Sequence, residues 1–344
     1  MLRRRILVLL LIVVSCFSVF AAPKKPVVGV LVWDFANQYC TYIRNAMKYY
    51  NNNQTDLILV DSQADQTKQN DQVDTLLQKG VDALMVAMVQ TTAAPTIIEK
   101  VKAHNIPLIF FNQAPSKEDI MTYDKAYYSG CSPYDGGVRQ AEMAIAAVKA
   151  NPRIDKNKDG KIQYFIVKGM NGHPDAELCT QGNIDRLKKE TNPAFELVDV
   201  QSGNWATAPA KDIMDAWIGR YGDKMEMVIS NNDGMMLGAF ESLKGDGWFA
   251  DNPKKQILVI GHDAIPEVQP LIANGTWYGC ILQNPVDEGR AAMQMAINLT
   301  TGKKVTDGLG LPFGEMKDYR APFIPITKAN LNVAVDIYKK ALGK

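Results

Sequence analysis

The sequence predicts an α/β protein of two doubly wound domains, each a parallel sheet covered by helices. Three observations carry this expectation. Apolar, strand-like runs alternate with amphipathic helical stretches from Val27 onward, and the alternation starts afresh at Tyr164. The chain has 344 residues, 47% of them apolar and 22% charged, which is enough for two ordinary cores.

In order, the first series places strands at Val27–Trp33, Leu57–Asp61, Ala83–Val89 and Pro107–Asn112. Lys125–Pro133, rich in Tyr, Ser, Gly and Pro, is expected to be the first crossover between domains. The second series places strands at Tyr164–Gly169, Glu196–Gln201, Met225–Asn231, Ile257–Asp263 and Trp277–Gln283. A helix at Val286–Thr300, a Gly-rich stretch from Gly302 to Gly314 and an extended segment near Ala321–Ile326 complete the pattern.

The N-terminus sets the compartment. Arg3, Arg4 and Arg5 precede the apolar run Ile6–Val14, which is too short to span a bilayer and reads as a secretory signal. Val19-Phe20-Ala21 suits ordinary cleavage, making residues 1–21 the signal; Val13-Val14-Ser15-Cys16 suits lipoprotein processing after residue 15, with Cys16 acylated. Losing the three arginines takes the formal charge from +1 to about −2, and nothing in that balance suggests a nucleic-acid partner. Cys40, Cys131, Cys179 and Cys280 lack metal or redox spacing and are expected to be free, mostly buried thiols.

Ligands of open α/β sheets bind at the carboxyl ends of the strands. The residues expected there are Trp33, Asn37, Tyr39, Asn112, His173, Asp175, Trp205, Asn232, Asp263 and Gln283. Amides and carboxylates pair with vicinal hydroxyls, and aromatic rings cover the C–H faces of a pyranose, so the set points to a sugar. Each residue also has an ordinary reading: Asp175 and Asp263 as helix caps, Asn112 and Asn232 as turn residues, Trp33 and Trp205 as core aromatics.

A second pattern is Asp155-Lys156-Asn157-Lys158-Asp159-Gly160-Lys161-Ile162-Gln163. Oxygens at loop positions 1, 3, 5 and 9, a glycine at 6 and the Lys161 carbonyl at 7 match the start of a calcium loop. Position 12 is Ile166, where a helix-loop-helix sensor would carry a glutamate, so the last ligand has to come from elsewhere or the loop is a polar turn.

With Asp61-Ser62-Gln63, Gln69-Asn70-Asp71-Gln72, Phe110-Phe111-Asn112, Asp124-Lys125-Ala126-Tyr127-Tyr128, Gly172-His173-Pro174-Asp175-Ala176-Glu177, Ala210-Lys211-Asp212, Met214-Asp215-Ala216-Trp217 and Asn231-Asn232-Asp233, the chain resembles the bacterial periplasmic glucose/galactose-binding proteins that serve sugar ABC transporters. The resemblance runs from about Val27 to Leu342. It implies two Rossmann-like lobes joined by three hinge strands, the periplasmic binding protein type I fold, with a hinge motion that closes them on one sugar. The lobes would comprise residues 27–131 with 286–321 and 134–283 with 324–344, with hinges near Cys131–Pro133, Gln283–Val286 and Pro322–Ile324.

It also implies that Asn112, His173, Asp175, Asn232 and Asp263 hydrogen-bond the sugar while Trp205 and Tyr39 cover its faces, Tyr39 standing in place of a phenylalanine. Asp155, Asn157, Asp159, Lys161 and Gln163 would hold Ca2+, with Glu226 as the distant carboxylate. The implied location is the periplasm, and the implied partners are D-glucose or D-galactose and an inner-membrane permease; a sugar sensor coupled to a chemotaxis receptor is the alternative to a transport component, and a monomer is expected. The sequence departs from the family pattern at Trp33 (for Tyr), Asn37 (for Asp), Gln283 (for Asn) and Cys179 (for the site arginine). Losing charge-assisted bonds retunes a site, which keeps another hexose or a pentose open as ligand.

Other classes fit less well. His173 beside Asp175 has no accompanying nucleophile motif, phosphate loop or zinc spacing, so no enzyme is expected. A regulator of the same lobe fold needs a DNA-binding helix-turn-helix before residue 27, where the signal lies.

Overall fold

The computed structural model describes residues 24–342; the expected signal segment and Cys16 lie outside them. The first lobe opens with β1 (Val27–Val32), α1 (Gln38–Asn51), β2 (Asp56–Asp61), α2 (Gln66–Gln78), β3 (Ala83–Val86), α3 (Ala94–Ala103), β4 (Leu108–Phe111), α4 (Lys117–Ile120) and β5 (Ala126–Gly130). The second takes α5 (Pro133–Ala150), β6 (Lys161–Lys168), α6 (Pro174–Leu187), β7 (Ala194–Ser202), α7 (Thr207–Tyr221), β8 (Met227–Ser230), α8 (Asp233–Gly245), β9 (Leu258–His262), α9 (Gln269–Ala273) and β10 (Gly279–Leu282). The chain then returns to the first lobe for α10 (Pro285–Thr300) and β11 (Asp318–Arg320), and ends with β12 (Ile324–Thr327) and α11 (Leu331–Ala341) on the second.

Two six-stranded sheets result, ordered β11-β5-β4-β3-β1-β2 and β12-β10-β9-β8-β6-β7. Every pairing is parallel except β12 against β10, which is antiparallel. The fold is therefore the pair of α/β lobes that the sequence predicts. Strands such as β1, Val-Val-Gly-Val-Leu-Val, are apolar throughout because helices cover both faces of a parallel sheet. On one face of the first sheet Leu31, Leu84 and Phe110 meet Val73, Leu76 and Ile97; on the other, Val28 and Val30 meet Ile43, Met47, Ala292 and Met295. Phe165, Val228, Val259, Trp217 and Trp277 anchor one face of the second sheet.

Three expectations need correction. Lys125–Pro133 is not simply a crossover: it contains β5, paired with β4 on one side and β11 on the other, and the crossing is confined to Cys131 and Ser132. Its Tyr-Tyr-Ser-Gly composition reads as loop, but partners on both sides override it. The Gly-rich stretch from Gly302 leads into β11, a strand too short to show alternation, and α11 closes the chain where no helix was expected. Tyr338 of α11 also packs edge-on against Tyr42 of α1, with ring centroids 4.7 Å apart, so this last helix touches both lobes.

Backbones come closest between α5 and α6. A Cβ at Gly137 would collide with the Cys179 carbonyl, and one at Gly182 with the Tyr134 carbonyl. Gly137→Ala is therefore expected to lower stability by about 1–3 kcal/mol, read as a lower urea midpoint at unchanged slope. An unchanged midpoint would mean that α5 and α6 can part without cost.

Candidate functional site

Because the strands of each lobe run parallel, their carboxyl ends share one edge, and these two edges face each other across a cavity of about 180 Å3. Its walls follow the strand ends in turn: Trp33 after β1, Ala64 after β2, Gln90 after β3, Asn112 after β4, Cys131 after β5, Met170 after β6, Trp205 after β7, Asn232 after β8, Asp263 after β9 and Gln283 after β10. Asn37, Tyr39, His173 and Asp175 line it as well, so all ten residues expected from the sequence stand around one cleft. Sites for drug-sized ligands run to ~300–1,000 Å3, so this one suits a small molecule.

Several of these residues also cap helices. Asn37 accepts the Cys40 N–H (3.1 Å) at the start of α1, and Asn232 accepts the Met235 N–H (2.8 Å) at the start of α8. Each spends its amide oxygen on the helix and keeps its NH2 as a donor. His173 caps α6 by accepting the Asp175 N–H at Nδ1 (3.2 Å). Burial lowers the His173 pKa to about 4, so the ring is neutral at pH 7 and carries its proton on Nε2. The caps are therefore Asn37, His173 and Asn232, all of which also line the cleft, and not the two acids expected as caps: Asp175 is the second residue of α6 and Asp263 follows β9 without starting a helix.

Aromatic surface comes from Trp33, Tyr39 and Trp205. Trp205 adopts a left-handed backbone (φ 60°) and lays its indole over Gly169, where any Cβ would strike the ring. The His173 ring meets it edge to face at 5.5 Å. Asn112 (φ 63°) and Asp263 (φ 103°) are also left-handed, which turns the chain sharply at the ends of β4 and β9.

The electrostatics are one-sided. No lysine or arginine is among the lining residues, while Asp175 and Asp263 are. Desolvation pushes the half-buried Asp175 up to about 7, against a smaller opposing pull from Arg320. Burial, then the neighbouring Asp233 carboxylate, drives Asp263 well above the carboxylate range. Asp233 is itself pushed up to about 7 by burial, although it accepts the His262 N–H (2.8 Å), the Ile265 N–H (3.0 Å) and the Cys280 thiol (3.3 Å). Cys179 is buried in the wall with its sulfur 3.9 Å from His262 Nδ1. His262, Met170, Gln90 and Phe323 are lining residues that sequence reading missed. His262 lies inside the predicted strand Ile257–Asp263, and Gln90 and Met170 directly follow the predicted strands Ala83–Val89 and Tyr164–Gly169, so strand ends were their signal.

The loop before β6 gathers the second predicted set. Asn157 Nδ2 reaches Asp159 (3.1 Å) and Gln163 Oε1 (3.1 Å), Gln163 Nε2 reaches Asp159 (2.9 Å), and Asp155 accepts the Asp159 and Gly160 N–H groups. Glu226, wholly buried just before β8, accepts the Lys156 N–H (2.7 Å) and the Gln163 N–H (3.0 Å), holding both ends of the loop. Lys161 ends on Glu196, and the Lys156 ammonium on the Met225 and Lys254 carbonyls. Among the described residues no three His, Cys, Asp or Glu side chains are close enough to hold an ion alone. The set is an all-oxygen one, three carboxylates with two amides, and that chemistry fits a hard cation.

Two lobes around a polar, aromatic cleft define a protein that captures a small ligand between domains. The chain belongs to the periplasmic binding protein family: the description "Periplasmic binding protein domain" matches residues 28–304. It is 39% identical over 322 residues, covering 92% of this chain and 93% of the relative, to the D-galactose/methyl-galactoside binding periplasmic protein MglB of Haemophilus influenzae. A putative rhizopine-binding protein of Rhizobium meliloti is 28% identical, over 93% of this chain and 96% of its own. Among solved structures, an ABC transporter solute binding protein of Bacillus halodurans with bound myo-inositol superimposes with a TM-score of 0.77 at 24% identity, covering 92% of this chain and 99% of that one.

Asp175 makes a pH prediction. Its folded pKa, about 7, lies above the ordinary value of 3.8, so the folded state binds the extra proton. Its contribution is complete below about pH 4 and lost as the pH rises through 7. His173 and His262, lowered to about 4, act in the opposite sense below about 6.5. Asp175→Asn should therefore remove part of the fall in stability between pH 4 and 7, measured by urea unfolding across that range. A variant with the wild-type pH profile would contradict the assignment.

Proposed function

We propose that the protein is the extracytoplasmic binding component of an ABC sugar importer, taking D-galactose or D-glucose in the cleft by closure of the lobes. The observation that carries this reading is the lining itself: amide donors, carboxyl acceptors and aromatic faces at the strand ends, without a cation or a phosphate loop. The galactose-binding relative at 39% identity supports a galactose-type ligand. A ribose import binding protein of Bacillus subtilis, 26% identical, keeps other sugars in view. Membership of the periplasmic binding protein family supports a periplasmic, non-catalytic role. Neutral His173, tied to the Asp175 N–H, serves as a hydrogen-bonding group. Release of sugar to a membrane permease completes the role.

Calorimetric titration with D-galactose, D-glucose, D-ribose and D-xylose tests the reading; binding of none of them would sink it. Trp205→Ala should weaken the best ligand by ~30-fold or more while the protein stays folded. A folded variant of normal affinity would remove Trp205 from the site.

We further propose that Asp155, Asn157, Asp159, the Lys161 carbonyl, Gln163 and Glu226 hold Ca2+ as a structural clip on the second lobe. When bound, the ion neutralises carboxylates that otherwise repel one another: burial and then Asp155 raise the Glu226 pKa. Calcium at 100-fold its Kd should add about 2.7 kcal/mol of stability. Glu226→Gln should abolish most of the thermal shift on adding calcium. An equal shift in the variant would rule out Glu226 as a ligand.

A further inference from the structure

Glu288 lies in the first turn of α10, fully buried and behind the cleft wall rather than in it. Its Oε2 accepts the Tyr39 hydroxyl (3.0 Å) and the Gln283 amide (3.2 Å), and its Oε1 is buried without a partner among the described residues. The Ser129 hydroxyl donates to its backbone carbonyl (3.0 Å), tying this turn to β5. A buried carboxyl with one unpaired oxygen is a costly way to fill a core position.

What it holds explains its presence. Tyr39 and Gln283 are both lining residues, one on α1 of the first lobe and one in the connection from β10 to α10 that crosses between lobes. Glu288 thereby ties Tyr39 and Gln283 into one hydrogen-bonded unit at the cleft wall. His262, another lining residue, stands with its Nδ1 3.9 Å from the Cys179 sulfur.

We propose that Glu288 is a positioning residue that determines specificity, fixing the Tyr39 ring and the Gln283 amide in the arrangement the ligand meets. Without it the hydroxyl and the amide lose their shared acceptor, and both groups turn to other partners. The assignment rests on the sugar-binding reading.

The test compares Glu288→Ala, Glu288→Gln and Tyr39→Phe/Gln283→Ala, with and without Glu288→Ala, by calorimetry against D-galactose, D-glucose, D-ribose and myo-inositol. Glu288→Ala should weaken the best-bound of these about tenfold and change the affinity ratio between at least two of them. Glu288→Gln, which keeps an acceptor oxygen, should restore most of both. In the background lacking the Tyr39 hydroxyl and the Gln283 amide, Glu288→Ala should have no further effect on affinity. Unchanged ratios, or an equal loss in that background, would overturn the proposal. If the wild-type protein bound none of the four, the sugar reading would fall. Thermal midpoints of the ligand-free variants would then decide the Glu288 unit, coupled effects supporting it and additive ones overturning it.

Discussion

The site depends on one constraint, the parallel direction of the strands. In a parallel sheet every strand ends at the same edge, so each connection out of that edge starts at the same place. Two such sheets set with these edges opposed bring ten strand ends together from residues as far apart as Trp33 and Gln283. The helices that follow must be capped there, and the chain uses polar residues that serve cap and cleft together. Asn37, His173 and Asn232 are each anchored through one atom by the helix they start, and each lines the cavity. Side chains held this way lose little further freedom when a ligand arrives.

The same geometry creates the electrostatic character of the cleft. Helix N-termini favour negative charge, and Asp175 and Asp233 both sit in first turns. Burial still prevails over that attraction, since both carboxyls are pushed up to about 7. No lysine or arginine stands in the wall to offset it. Near neutral pH Asp175, which lines the cleft, acts as donor or acceptor according to its proton, and a hydroxyl-rich ligand can meet either form.

Most of the architecture was legible in the sequence because long, regularly spaced apolar runs encode buried parallel strands directly. The unread parts share a physical reason. β5 and β11 take their identity from neighbours rather than from pattern: β5 is sandwiched between two strands, and β11 has only three residues. The site divides similarly. Residues at the ends of predicted strands could be listed in advance, and all ten line the cleft. Phe323 belongs to a loop whose course depends on tertiary packing. Glu288 is visible only through Tyr39 and Gln283, contacts that span 249 and 5 residues of chain.

The threading of the chain has a consequence for biogenesis. The first lobe takes α10 and its edge strand β11 from residues 285–320, after the whole parallel part of the second sheet has been made. The second lobe still lacks β12 and α11 at that point. A polypeptide emerging from its N-terminus therefore cannot finish the first lobe before Arg320 or the second before Ala341. Both cores are closed by segments from residues 285–341, α10 and β11 in one lobe and β12 and α11 in the other.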